Sequence, residues 1–246
     1  MVDRWVLCKQ LAQQARSWIY PAECVLCGGF GEADQDLCGG CRRELPWNRH
    51  ACPHCALPLP PTAARVPCAR CQRTAPPFAQ AWAPFEYSTT IRWLHRRVKF
   101  GGRIGPLRLL GNLLAGALGS ALADGSLRRP DCVVVAPLHR RRLWLRGFNQ
   151  SLELLRPAAT RLDLPLDLVA LQRVRATAPQ SELPAGARRR NVRGAFVCAR
   201  DLTGFSVALF DDVVTTGETA AEMARVLRRA GAREVSLWCL ARTPAA

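Results

Sequence analysis

The chain is short of lysine. Of its 35 basic residues only Lys9 and Lys99 are lysines, so the positive charge is almost entirely guanidinium. Acid is scarce too: 19 Asp and Glu leave a net charge of +16. A surplus of that size favours polyanions as partners, whether nucleic acid, phosphorylated small molecules or a membrane surface. A long apolar run is also missing. Residues 1–20 hold Arg4, Lys9, Arg16 and several glutamines, which excludes the core of a secretory signal. The most apolar stretch, residues 104–123, is interrupted by Arg108, Asn112, Ser120 and four glycines. A spanning helix needs about 20 nearly unbroken apolar residues. The stretch therefore reads as a buried or amphipathic helix, and no transmembrane segment is expected. Hydrophobic residues as a whole are plentiful, at 49% of 246, which excludes global disorder. A cytoplasmic location is the expectation, and there paired cysteines mean metal more often than disulfides.

Cysteine is abundant and unevenly placed. Eight of the 12 form four pairs, Cys24/Cys27, Cys38/Cys41, Cys52/Cys55 and Cys68/Cys71, separated by ten, ten and twelve residues. Each CxxC turn converges two sulfurs on one ion, and two turns complete a tetrahedral thiolate site. Four soft sulfurs select zinc, or less often an iron–sulfur cluster. Gly28, Gly29, Gly39 and Gly40 supply the turn conformations such ribbons need. The spacing permits a sequential assignment, first pair with second and third with fourth, or a cross-braced one. With all eight thiolates used as ligands no coordination position is open, so two structural Zn2+ ions are expected rather than a catalytic one. Such ions replace a core too small to fold alone.

Ala75-Pro76-Pro77 marks a linker, and the pattern changes after it. Residues 1–77 are expected to form an N-terminal segment with a double zinc ribbon, and residues 78–246 a second domain. The first 78 residues carry a net charge of only +3; the remainder carries 26 basic and 13 acidic groups, or +13. In the second part short apolar runs alternate with helical stretches: a strand ending at Phe85-Glu86-Tyr87, helices over about 88–99, 104–123, 149–162 and 217–230, and strands near 132–136, 196–198, 206–210 and 235–240. Pro157 is expected to kink or break the third helix. The alternation means a parallel α/β sheet covered on both faces, with ligands at the carboxyl ends of the strands.

The segment Val207–Thr219 concentrates the chemistry. A buried strand ends in Asp211 and Asp212, and Thr215, Thr216, Gly217, Glu218 and Thr219 then open a helix. Free N–H groups at a helix start and the threonine hydroxyls can cradle a phosphate dianion, and Gly217 allows close approach of the backbone. Carboxylates repel phosphate but accept hydrogen bonds from vicinal hydroxyls, or hold a Mg2+ ion that bridges to the substrate. A phosphorylated ribose satisfies both halves of the motif.

These thirteen residues resemble the phosphoribosyl-pyrophosphate (PRPP) signature of type I phosphoribosyltransferases. The resemblance implies that Asp211 and Asp212 contact the ribose hydroxyls and that Thr215 to Thr219 bind the 5′-phosphate. Ala136-Pro137-Leu138-His139, Arg146-Gly147-Phe148-Asn149-Gln150, Arg175, Thr177 and Gln180, and Arg188 to Phe196 together resemble the ComF family, as do the cysteine pairs. That likeness covers nearly the whole chain. It implies a type I phosphoribosyltransferase-like domain preceded by a double zinc ribbon, with Leu138, His139, Arg140 and Arg146 as candidates for the pyrophosphate loop. The loop 177–190 has no lysine over the pyrophosphate, so Arg175 and Arg188 to Arg190 would have to serve.

Two functions follow as expectations. One is ComF-like handling of single-stranded DNA during natural transformation, with PRPP and Mg2+ at the sugar-phosphate site and competence-machinery proteins as partners. The other is active transfer of phosphoribose from PRPP to an acceptor that the sequence does not identify. The arginine runs 140–142 and 188–190 suit either a pyrophosphate clamp or a nucleic-acid backbone.

Overall fold

The computed structural model describes residues 22–32, 36–63, 66–101, 104–176 and 190–245, with backbone alone at 99–101 and 104. Residues 1–20 and the motif positions Thr177, Gln180 and Arg188 lie outside these. Two short helices, α1 (Gly39–Arg43) and α2 (Ala69–Arg73), each start at the second CxxC of a ribbon. The sheet domain then runs β1 (Gln80–Trp82), β2 (Phe85–Glu86), α3 (Thr89–Gly101), α4 (Ile104–Ala123) and β3 (Cys132–Val135). It continues through α5 (Arg140–Arg146), α6 (Gln150–Arg161), β4 (Leu166–Asp167), β5 (Leu171–Arg173) and β6 (Phe196–Cys198). β7 (Ser206–Val214), α7 (Glu218–Arg229) and β8 (Glu234–Arg242) complete it.

The main sheet is parallel throughout, in the order β1-β8-β7-β3-β4, with β2 also pairing β8. β5 and β6 form a separate antiparallel pair. Strand periodicity divides the core in two. Val133, Val135, Ala208, Phe210, Trp238 and Leu240 face α3, α4 and α6. Val134, Val207, Leu209, Val235 and Leu237 face α7 and the β5–β6 pair. This is the double covering that parallel strands need, and it accounts for their unbroken apolar runs.

Helix α4 is long and apolar enough to cross a membrane by length and composition. Here it buries Leu110, Leu114 and Leu118 in the same cluster as Leu154 and Leu155 of α6. Full burial of each such side chain contributes about 1.5–3 kcal/mol. Pro157 does not end α6, which runs unbroken for 12 residues. Its ring packs against α4, where a Cβ at Gly111 would lie 2.9 Å from Pro157 Cγ, so the glycine makes room for it. At the end of α7, Gly231 adopts φ +94° as the expected C′ residue.

The ribbons are built into this core. Cys24, Leu37 and Leu45 belong to the cluster under α3 and α4, and Ala56 and Phe78 to the opposite one. The Trp47 ring lies 4.6 Å from that of Phe85. The apolar side chains of the first ribbon are thus covered by the sheet domain.

Candidate functional site

The four cysteine pairs close sequentially. Cys24, Cys27, Cys38 and Cys41 have sulfurs within 4.8 Å of one another, and so do Cys52, Cys55, Cys68 and Cys71. The cross-braced alternative is excluded. Cys38 also caps α1, its sulfur accepting from Cys41 N–H at 3.4 Å. Four converging sulfurs per cluster fit two structural zinc ions.

A cleft of about 300 Å3 opens at the carboxyl ends of β3 and β7. Its lining brings together Asp211, Asp212 and the run Thr215 to Thr219 with Leu138, Arg142 and Arg146. The strand-end acids are not in a loop: β7 continues to Val214 because β8 pairs with it as far as Arg242. The two acids stay within hydrogen-bonding reach of each other, but their other partners differ. Asp212 turns toward α3, where His95 Nε2 lies 2.9 Å from its Oδ2. Asp211 feels the Asp212 carboxyl most and the charge of Arg173 less.

This difference in partners sets their ionisation. Burial raises both carboxyls. At Asp212 the hydrogen bond and charge of His95 outweigh burial and hold the group at about 2. At Asp211 burial and then the Asp212 charge push the group well above the ordinary carboxylate range. The pair therefore carries a firm negative charge on Asp212 and favours a proton on Asp211.

His95 is the residue that sequence reasoning missed. It lies in an arginine-rich helical stretch with no motif around it, and only the packing of α3 on β7 brings it to Asp212. It is buried, with the Gln150 amide at 2.7 Å and the Tyr87 hydroxyl at 3.4 Å. Gln150 thus acquires a contact within the site. Asn149 caps α6 through Ser151 N–H at 3.1 Å and donates to the Ala136 carbonyl at 3.0 Å, tying α6 to the end of β3. Gly147 ends α5 at φ +77°.

The remaining candidates divide. His139 caps α5 by accepting from Arg141 N–H at 3.3 Å, and with Arg140 it lines an adjoining groove of about 720 Å3 rather than the cleft. Arg175 donates to the carbonyls of Asn191 and Arg193 at 3.0 and 2.7 Å, which uses its guanidinium in shaping the chain. Glu218 pairs with Arg70 of the second ribbon at 2.7 Å.

A family model described as a double zinc ribbon domain matches residues 15–72. DNA utilization protein YhgH of Escherichia coli is 37% identical over 229 residues, which are 91% of this chain and 98% of that protein. Competence protein F of Haemophilus influenzae is 33% identical over 223 residues, 89% of this chain and 96% of that one. Among solved structures, a purine phosphoribosyltransferase from Pyrococcus horikoshii aligns with 54% of this chain and 73% of its own, at 21% identity and a TM-score of 0.34. Glutamine PRPP amidotransferase from B. subtilis aligns with 56% of this chain and 28% of its own, at 24% identity and 0.36.

The parallel sheet and the two four-cysteine clusters define a class: a parallel-sheet α/β protein with an N-terminal double zinc ribbon. Within that class the chain belongs to the ComF family, alongside competence protein F and DNA utilization protein YhgH.

Proposed function

We propose that the cleft binds a phosphorylated ribose, PRPP with Mg2+ as the best-fitting ligand, and that the protein acts on single-stranded DNA in competence-type DNA utilization. The observation that carries the ligand half is the meeting of Asp211, Asp212 and Thr215 to Thr219 with Arg142 and Arg146 in one cleft. Ribose hydroxyls would donate to the acids, the loop would receive the 5′-phosphate, and the arginines would face the pyrophosphate. Mg2+ would offset pyrophosphate charge and displace the Asp211 proton. The DNA half is supported by the relatives' names and by α5, whose sequence RRRLWLR buries none of its residues. Trp144 is 83% exposed there, flanked by arginines, a combination that suits a base stack beside a phosphate backbone. Reduced cysteines at the zinc centres fit a cytoplasmic location.

Calorimetry with PRPP and Mg2+, with and without a single-stranded oligonucleotide, tests both halves. Asp211→Asn combined with Asp212→Asn should abolish PRPP binding; a double variant that binds like the parent refutes the sugar-phosphate assignment. Phosphoribosyl transfer is a second reading, favoured by the groove that shares Pro137, Leu138 and Asn149 with the cleft and offers room for an acceptor. Pyrophosphate release from PRPP on adding candidate acceptors would establish it.

A further inference from the structure

The second zinc ribbon holds the phosphate loop from behind. Arg70 lies between Cys68 and Cys71, so two ligands of one centre fix its backbone. Its guanidinium donates to the Thr216 carbonyl at 2.5 Å and to Glu218 Oε1 at 2.7 Å. These acceptors flank Gly217, the left-handed cap of α7 at φ +80°. Arg242, buried at the end of β8, makes the second tie. Its Nε donates to the carbonyl of Cys55, another ligand, at 3.0 Å. Its Nη1 donates to the carbonyls of Val214 at 3.0 Å and of Thr215.

Three consecutive loop carbonyls, those of residues 214, 215 and 216, are therefore held by two arginines that the ribbon anchors. In a trans peptide the N–H points opposite to the preceding C=O. The N–H groups of Thr215, Thr216 and Gly217 consequently face away from those arginines, and the same three residues line the cleft. That is the donor array a phosphate requires.

We infer that Arg70 and Arg242 are positioning residues that couple occupancy of the second zinc centre to the shape and affinity of the phosphate loop. The affinity part rests on the sugar-phosphate reading above; the shape part does not. Zinc supplies folding energy to a ribbon of this size. Losing it frees the backbone of Arg70 and Cys55, and with them the backing of the loop. Coupling of this kind is reciprocal, so a bound phosphate should also slow zinc loss. The first centre docks elsewhere: Cys24 and Leu37 pack under α3 and α4, and Asp36 pairs with Arg108 at 2.7 Å.

Hydrogen–deuterium exchange at residues 214–219 of the full-length, zinc-loaded protein tests the coupling, with ribose 5-phosphate titrated in parallel. Arg70→Ala, at a half-exposed position, should speed loop exchange roughly fivefold or more, as for losing charged hydrogen bonds. Cys71→Ser should do the same, whereas Cys27→Ser at the first centre should raise loop exchange less. Ribose 5-phosphate affinity should fall in parallel in Arg70→Ala, and Arg70→Lys, able to keep one contact of the two, should recover part of it. Unchanged loop exchange in Arg70→Ala, or an equal rise in Cys27→Ser, overturns the coupling. A loop that loosens as expected in a protein binding neither ribose 5-phosphate nor PRPP supports the coupling and removes the sugar-phosphate reading instead.

Discussion

His95, Asp212 and Asp211 make the site's ionisation a local matter. Asp212 is held at about 2 by His95 against its burial. Such a depressed carboxyl adds stability above its unfolded value, about 4, and loses it as pH falls toward 2. His95→Ala should remove the leading influence that lowers Asp212 and so raise its carboxyl; NMR titration of the carboxyl carbon would show this, and an unmoved Asp212 would refute the pairing. Asp211 has the opposite sign. Its raised carboxyl favours the fold below the unfolded value and loses that contribution as pH rises through the raised one. Asp211→Asn should therefore raise the melting temperature at pH 8 by roughly 2–4 °C, the shift that ~1 kcal/mol gives in a chain of this size. The same variant should lose its thermal stabilisation by PRPP with Mg2+. Melting curves at pH 5 and pH 8 check both, since the gain should shrink at the lower pH.

Helix α5 carries exposed apolar side chains and arginines that the core does not use. If a strand lies across it, Trp144→Ala should weaken single-stranded DNA binding by about 1–3 kcal/mol, the worth of one stacked base, with the salt dependence unchanged. Replacing Arg140, Arg141 and Arg142 by Ala should instead flatten the log–log salt slope by roughly 0.7 for each phosphate no longer neutralised. Fluorescence anisotropy across a salt series separates the two effects, and unaltered binding in both variants would exclude α5 as the contact. The α4–α6 contact is decided by a single methyl's worth of space. Gly111→Ala would drive a Cβ to 2.9 Å from Pro157 Cγ and 3.3 Å from the Leu154 carbonyl. Overpacking of that kind costs about 1–3 kcal/mol, and chemical denaturation should show it as a lower midpoint with the slope unchanged.

Across the whole molecule the ribbons and the sheet share their buried clusters. Metal analysis should find two zinc ions per chain, and calorimetry of the zinc-loaded protein should show one cooperative transition. Chelation should lower that transition as a unit, because withdrawing Cys24 and Leu37 uncovers the core under α3 and α4. Two separate transitions would show that the ribbons fold independently of the sheet.

Much of this was legible in the sequence. CxxC spacing determines that two thiolate centres form, since the turn geometry is local. The apolar runs at 132–136 and 206–210 determine buried strands, and Val207–Thr219 reads as a strand, a Thr/Gly turn and a helix start, because each is a property of consecutive residues. Pairing with β8 decided that Asp211 and Asp212 lie within a strand, which an isolated run cannot specify. Close approach of α4 to α6 decided that Gly111 stands where the Pro157 ring needs room. His95 reached the site, and Arg70 and Arg242 reached the loop, across large sequence separations. Such contacts follow from which surfaces pack together, and that is set by the burial of the whole core rather than by any local pattern.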